Sequence, residues 1–217
     1  MQRSTLKFTS ATFVKLTRKL RYLATAFFFV SIFVVWTAHT AIADDVARAE
    51  AWFNKIKTIK ADFIQIASDG TSIEGKLLFS RPSRMKIIYG DGARLQLLTS
   101  KIWLHVDRPD EKLLSSYPIS ETPLSLILAT KVSLRPDGYE TTIKRSSVGV
   151  VQIVIFKDKG EGAGKLTLEF SEKPFQFRRW IIVDAAGIET SVTLQNLSFD
   201  KPIPSDTYRV PDYSDND

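Results

Sequence analysis

Cysteine is absent from all 217 residues. That excludes disulfides, thiolate metal sites, a cysteine nucleophile and lipid attachment through cysteine. Histidine is nearly absent: beyond residue 43 only His105 occurs, so no second imidazole or thiolate completes a metal site. It lies in the alternating run Ile102-Trp103-Leu104-His105-Val106, which reads as a strand with His105 on the solvent face. There is no G-x-S-x-G elbow, hence no serine on the strained turn of a hydrolase nucleophile. The acids are scattered over turns without a spaced pair suited to acid–base work. An enzyme is therefore not expected, and neither a cofactor nor a metal is called for.

An excess of one charge sign is missing too, once its position is found. The chain carries 30 Lys+Arg against 24 Asp+Glu, a formal net charge of +6. Arg3, Lys7, Lys15, Arg18, Lys19 and Arg21 make up that surplus, and no acid precedes Asp44. The remainder is balanced, so the basic surface that a nucleic-acid partner needs is not there.

What the first 43 residues do contain is an address. The charged start is followed by an apolar run from Tyr22 to Trp36, then Ala41-Ile42-Ala43 and the pair Asp44-Asp45. A basic start, an apolar middle and a small-x-small exit form a secretory signal with cleavage near Ala43. The alternative is an uncleaved anchor, since residues 22–43 carry no formal charge and are long enough to cross a bilayer. Thr37, His39 and Thr40 make the far third polar and favour cleavage. The expected organisation is a signal peptide over 1–43 and one domain over 44–217, with a hydrophobic content of 44% that suits a normal core.

The domain opens with a helix from Asp44 to Lys57: Val46, Ala49, Phe53 and Ile56 recur at helical steps, and Asp44 and Asp45 favour the positive helix start. Short alternating runs follow, separated every eight to twelve residues by turns such as Asp69-Gly70, Asp137-Gly138 and Asp184 to Gly187. The runs are residues 60–67, 75–80, 85–89, 95–98, 102–106, 139–144, 150–156, 165–170, 175–183 and 188–197. Such spacing predicts an antiparallel sheet curling into a barrel or half-barrel. Pro123 to Leu128 interrupts it as a short apolar helix, with Thr122 as cap and Pro123 at its first position. One face of the sheet is apolar, carrying Leu77, Phe79 and Arg81, then Met85, Ile87 and Tyr89, then Leu166, Leu168 and Phe170. Either the barrel closes on its own side chains or it keeps a cavity for an apolar ligand.

Two motifs invite over-reading. Gly160 to Lys165 has the glycines of a phosphate loop, but the spacing is wrong and a strand follows, so it is a flexible hairpin turn. Arg178-Arg179-Trp180 could suggest a nucleic-acid site, yet alternation puts the arginines on opposite faces of one surface strand.

Taken in order, Phe63-Ile64-Gln65, the stretch Gly75 to Pro82, the run Arg84 to Tyr89, Leu97 to Trp103, the Pro123 to Leu128 helix and Asp184 to Thr190 resemble the LolA family. Tyr208-Arg209-Val210-Pro211 stands where that family has a Phe-rich ending before Pro. Ser100-Lys101 replaces a common Asp-Gly turn and Met85 a common Phe; neither touches the architecture, and the second bears on the detail of partner docking. The resemblance implies a mainly β fold, an incomplete antiparallel β-barrel of about eleven strands with an N-terminal helix and short lid helices over the opening. It implies a periplasmic chaperone, a monomer, that takes acylated lipoproteins from an inner-membrane ABC release complex of the LolCDE type. Delivery would be to a LolB-type acceptor or to the outer membrane itself. The lining it suggests is Phe63, Leu77, Phe79, Met85, Ile87, Tyr89 and Leu168, under lid residues Leu124, Leu126, Ile127 and Leu128. Arg81 corresponds to the arginine that latches the lid in the empty form. LolB-type receptors are anchored by an acylated cysteine, which is missing here, and stress sensors of the RseB type carry a second domain for which residues 44–217 leave no room. A soluble half-barrel for another lipid or glycolipid, and a structural barrel packed solid, are the competing readings.

Overall fold

The computed structural model describes residues 40–90, 94–160 and 162–214, with side chains from Asp45 onward. The leader expected over 1–43, with its basic surplus and cleavage point, lies outside them except for its last four residues, whose backbone is helical. Residues 44–217 form a compact unit.

Eleven strands make one sheet: β1 (Thr58–Ala67), β2 (Ser72–Ser80), β3 (Arg84–Tyr89), β4 (Leu95–Thr99), β5 (Trp103–Arg108), β6 (Leu113–Pro118), β7 (Glu140–Ser146), β8 (Val150–Lys157), β9 (Gly164–Glu172), β10 (Phe175–Val183) and β11 (Glu189–Phe199). Their order is β6-β5-β4-β3-β2-β1-β11-β10-β9-β8-β7. Two antiparallel meanders are thus zipped together where β1 pairs β11. Strands β6 and β7 are left as edges, so the barrel is open. Strand β6 escaped the sequence pattern because Leu113-Leu114-Ser115-Ser116-Tyr117-Pro118 does not alternate. An edge tolerates its proline, which need donate no ladder hydrogen bond.

Alternation fills the inner face. Leu77 and Phe79 of β2, Met85, Ile87 and Tyr89 of β3, Val151, Ile153 and Ile155 of β8, and Leu166, Leu168 and Phe170 of β9 are buried in one cluster. Gly75 belongs to that design: a Cβ there would stand 2.6 Å from the Phe63 ring and collide with the Ile88 carbonyl. The ring of Phe63 lies in the space a side chain would have taken, and it meets Tyr89 edge-on at 5.5 Å.

Helix α1 (Thr40–Lys55) packs its Val46, Ala49 and Phe53 stripe into the same cluster. Trp52 adds edge or tilted ring contacts to Phe170, Phe177 and Phe199 at 5.7 to 6.0 Å. Each buried aromatic side chain contributes about 2 kcal/mol, so α1 is held mainly by its apolar stripe. Its bounds differ from the expected Asp44 to Lys57. With the start at Thr40, Asp45 is no longer in the first turn, and instead of facing the helix dipole it is fully buried and ion-paired. Arg48 lies 3.0 Å and Arg145 of β7 2.6 Å from its carboxylate, so the pair ties the helix to an edge strand.

The interruption between β6 and β7 holds a 3-10 turn, Ile119–Glu121, and helix α2 (Ser125–Leu128). Thr122 does not cap it: its hydroxyl donates backward to the Ile119 carbonyl. Three-residue turns from Thr122 and Pro123 come first, so the α-helix begins two residues later than the proline suggested.

The outer face of β3 to β5 is also covered. Leu98, His105 and Asp107 alternate out of phase with Met85 and Ile87, yet all three are buried. The C-terminal segment crosses them, with Tyr208 buried in a 3-10 turn and Tyr213 donating to Asp107 at 2.8 Å. This corrects the solvent-face reading of His105. Its ring nitrogens contact Ser100 and Ser116 at 3.1 and 2.8 Å, and burial holds its pKa below the ordinary value.

Candidate functional site

The site is the inner face and what closes it. Phe63, Leu77, Phe79, Met85, Ile87, Tyr89 and Leu168 are brought into one cluster, each no more than 9% exposed. Leu124, Ile127 and Leu128 join that cluster from the segment carrying α2, and Leu126 packs against it from the margin. Burial among apolar neighbours pushes the Tyr89 phenol up to about 12, and its hydroxyl keeps a single polar tie, to Gln65 at 2.9 Å. The inner face is therefore occupied in this structure. Aromatics of α1 cover one part and α2 belongs to the same packed layer; cavities of about 860 and 510 Å³ lie at the ends of the sheet, and one of about 330 Å³ lies over the middle of β1, β2 and β11.

The two covers differ in how they are attached. Helix α1 is anchored by rings and ion pairs. The α2 segment is tied by hydrogen bonds that gather at its far end. Arg81, just past β2, donates from Nη2 to the carbonyls of Ala129 and Thr130 at 3.1 and 2.6 Å, and to Asn54 Oδ1 at 3.2 Å. The Ser83 amide donates to the Leu128 carbonyl at 3.1 Å. Carbonyls at a helix end lack intrahelical partners, which is why a guanidinium fits there. Burial lowers the Arg81 pKa from its usual value, and Nη1 is buried without a partner.

Asn54 and Glu50 are the residues that sequence reasoning missed. Asn54 exchanges two hydrogen bonds with the backbone of Val132, at 3.0 and 2.9 Å, and Glu50 accepts from the Leu134 amide at 2.7 Å. They stand four residues apart beside the Val46-Ala49-Phe53 stripe. A polar pair at that helical spacing along the edge of a buried face is the signal that could have found them.

A half-open sheet with an apolar inner face, closed by one helix packed through aromatic rings and by a short segment packed through Leu124, Ile127 and Leu128 and tied at its far end by hydrogen bonds, is suited to holding something oily. The family model described as outer membrane lipoprotein carrier protein LolA matches residues 54–210. The chain belongs to the LolA family. Among solved structures, a LolA superfamily protein from Nitrosomonas europaea is similar at 9% identity and a TM-score of 0.42, over 76% of this chain and 98% of that one. A putative outer membrane lipoprotein-sorting protein domain from Vibrio parahaemolyticus matches at 9% identity and 0.46, over 76% and 94%. MucB matches at 12% identity and 0.45, over 78% of this chain and 62% of that one. No curated protein matches in sequence. Membership of the LolA family rests on the family model, and members of this family are carriers and binding proteins.

Proposed function

We propose that this LolA family member is a periplasmic carrier that buries the acyl chains of lipoproteins against its inner face and delivers them to the outer membrane. The observation that carries the reading is the asymmetry between the covers: α2 sits on the apolar layer but is tied by polar contacts gathered at residues 128–134. Releasing a few hydrogen bonds frees a segment whose departure uncovers apolar surface. Each exposed methylene of an acyl chain costs roughly 0.8 kcal/mol, so one long chain in water costs on the order of 10 kcal/mol. That is comparable with the net value of the ties, about 1 kcal/mol per neutral hydrogen bond and roughly twice that for each bond to a charged group, and acyl chains that take the place of Leu124, Ile127 and Leu128 on the apolar layer offset the loss of their cover. Cargo can therefore open the lid, and the same apolar contact, being non-directional, lets the cargo leave.

In this reading Arg81 is the latch, Phe63, Leu77, Phe79, Met85, Ile87, Tyr89 and Leu168 receive the chains, and Leu124, Leu126, Ile127 and Leu128 form the lid. Residues 1–43 direct export and are removed near Ala43. The donor is an inner-membrane ABC complex of the LolCDE type, and the acceptor is a LolB-type protein or the outer membrane itself. The test is to add the protein to spheroplasts and follow newly made lipoproteins. Their appearance in solution as complexes with the protein is expected; retention on the inner membrane, with a fluorescent fatty acid also left unbound, would refute the proposal. Mass spectrometry of co-purified cargo separates lipoproteins from a free lipid or glycolipid.

A further inference from the structure

One feature of the rim is not used by the carrier reading. The turns β2–β3 and β4–β5 lie at the same end of the sheet, and between them and the C-terminal segment is the cavity of about 860 Å³. Its wall carries Arg81, Arg84, Lys101 and Arg209, with Asp206 as the lone carboxylate. Among the described residues, no carboxylate lies within ion-pair distance of Arg84, Lys101 or Arg209. Arg81 lines the same wall with its Nη2 already engaged by Ala129, Thr130 and Asn54.

The same end of the sheet also exposes apolar surface. The Ser100 amide bonds the Trp103 carbonyl at 2.9 Å, which closes a tight turn with Lys101 and Ile102 at its tip. Ile102 is 64% exposed, and Trp103 next to it is 41% exposed. An isoleucine and a tryptophan beside clustered cations match a membrane interface, where aromatic rings settle at headgroup level and cations meet phosphate. A bilayer surface offers anionic phosphate and an apolar boundary at once, the two chemistries that this rim presents.

We propose that this rim docks the protein on an anionic phospholipid bilayer, a lipid phosphate entering the cavity between Arg84, Lys101 and Arg209 while Ile102 and Trp103 enter the boundary between headgroups and acyl chains. The purpose rests on the carrier reading, since the docked phosphate would sit beside the tied end of the lid. The docking itself needs no cargo and is tested without it.

The measurement is co-sedimentation of the secreted protein, residues 44–217, with vesicles of phosphatidylcholine alone or with a third of phosphatidylglycerol. Binding to the anionic vesicles at least tenfold tighter is expected, weakening with salt. Lys101→Ala and Arg209→Ala should each weaken it about fivefold, and Ile102→Asp at least tenfold with an unchanged unfolding midpoint. Glycerol phosphate without vesicles separates the sources of phosphate: if it stabilises the protein while vesicles are not bound, the cavity takes soluble anions and membrane docking is overturned. Equal binding to both vesicle types, or full binding by Ile102→Asp, overturns it as well. Lipoprotein transfer lost in Ile102→Asp while the parent ignores vesicles would assign the tip to a protein acceptor, again overturning docking on lipid. A parent that binds anionic vesicles but takes up no acylated cargo fails the carrier reading and leaves docking standing.

Discussion

Arg81 shows how much of this protein turns on single side chains. Its Nη2 donates to three oxygens, two of them carbonyls just beyond α2. Arg81→Leu removes those bonds and leaves the carbonyls to water at the rim. Because the guanidinium is partly exposed, solvent screens part of the loss, and stability should fall by only about 1 to 2 kcal/mol in urea unfolding. Hand-over of a purified lipoprotein to outer-membrane vesicles should drop several-fold, because a lid that does not close leaves the empty state without its competitor for the cargo. Transfer equal to the parent would remove the latch role. Tyr89 gives a second prediction. Its folded pKa of about 12 stands above the ordinary 10.0 because of burial. The neutral phenol is therefore favoured in the folded state, and its stabilising contribution is complete below pH 10. It is lost as pH rises from 10 through 12, by about 2 to 3 kcal/mol. Tyr89→Phe should cost about 1 kcal/mol at pH 8, for the bond to Gln65, yet lose less stability than the parent between pH 8 and pH 11.5. Parallel losses in the two proteins would show that Tyr89 does not carry the alkaline transition.

At the scale of elements, β1 and β2 make their own prediction through Gly75. The Phe63 ring fills the place of the missing side chain, so Gly75→Ala must move either the ring or the Ile88 carbonyl that β2 faces. Overpacking of this kind costs about 1 to 3 kcal/mol, to be read as a lowered urea midpoint; Gly75→Ala combined with Phe63→Leu should recover part of it. An unchanged midpoint in Gly75→Ala would mean that the ring has space to retreat. Such details lie beyond what patterns convey. The strands were legible where residues alternate, as in Leu166-Thr167-Leu168-Glu169-Phe170, because a strand half in the core must alternate. Strand β6 was illegible because an edge covered on neither face has no such obligation. His105 misled because alternation reports a period and not which faces are covered, and the cover came from a C-terminal segment a hundred residues away. Leu77, Phe79, Met85, Ile87, Tyr89 and Leu168 could be placed on one face by parity, and Phe63 by the family resemblance. Asn54 and Glu50 could be noticed from their helical spacing beside the buried stripe, but their partners, backbone groups of Val132 and Leu134, are announced by no side-chain pattern.

The whole molecule is a layer that must be shut without cargo and open with it, and the absence of cysteine permits a direct test of that requirement. The Ser83 amide lies 3.1 Å from the Leu128 carbonyl, a direct backbone contact close enough for a disulfide to be engineered between the two positions. In Ser83→Cys with Leu128→Cys the introduced thiols are the only ones in the chain, so oxidation can lock nothing else. The reduced double variant is the reference, because it already includes the packing lost with the Leu128 side chain. Two states of one sequence then differ only in whether the end of α2 can leave the β2–β3 turn. If acyl chains enter by displacing the lid, the oxidised protein should bind a fluorescent fatty acid at least tenfold more weakly than the reduced one, and reductant should restore binding within the same sample. If the chains instead enter from the other end of the sheet, by the cavity of about 510 Å³ near Gly162 and Ile182, locking the lid at Ser83 leaves uptake intact. Equal uptake by both forms would therefore move the mouth of the carrier to the opposite rim and take the latch role from Arg81 with it.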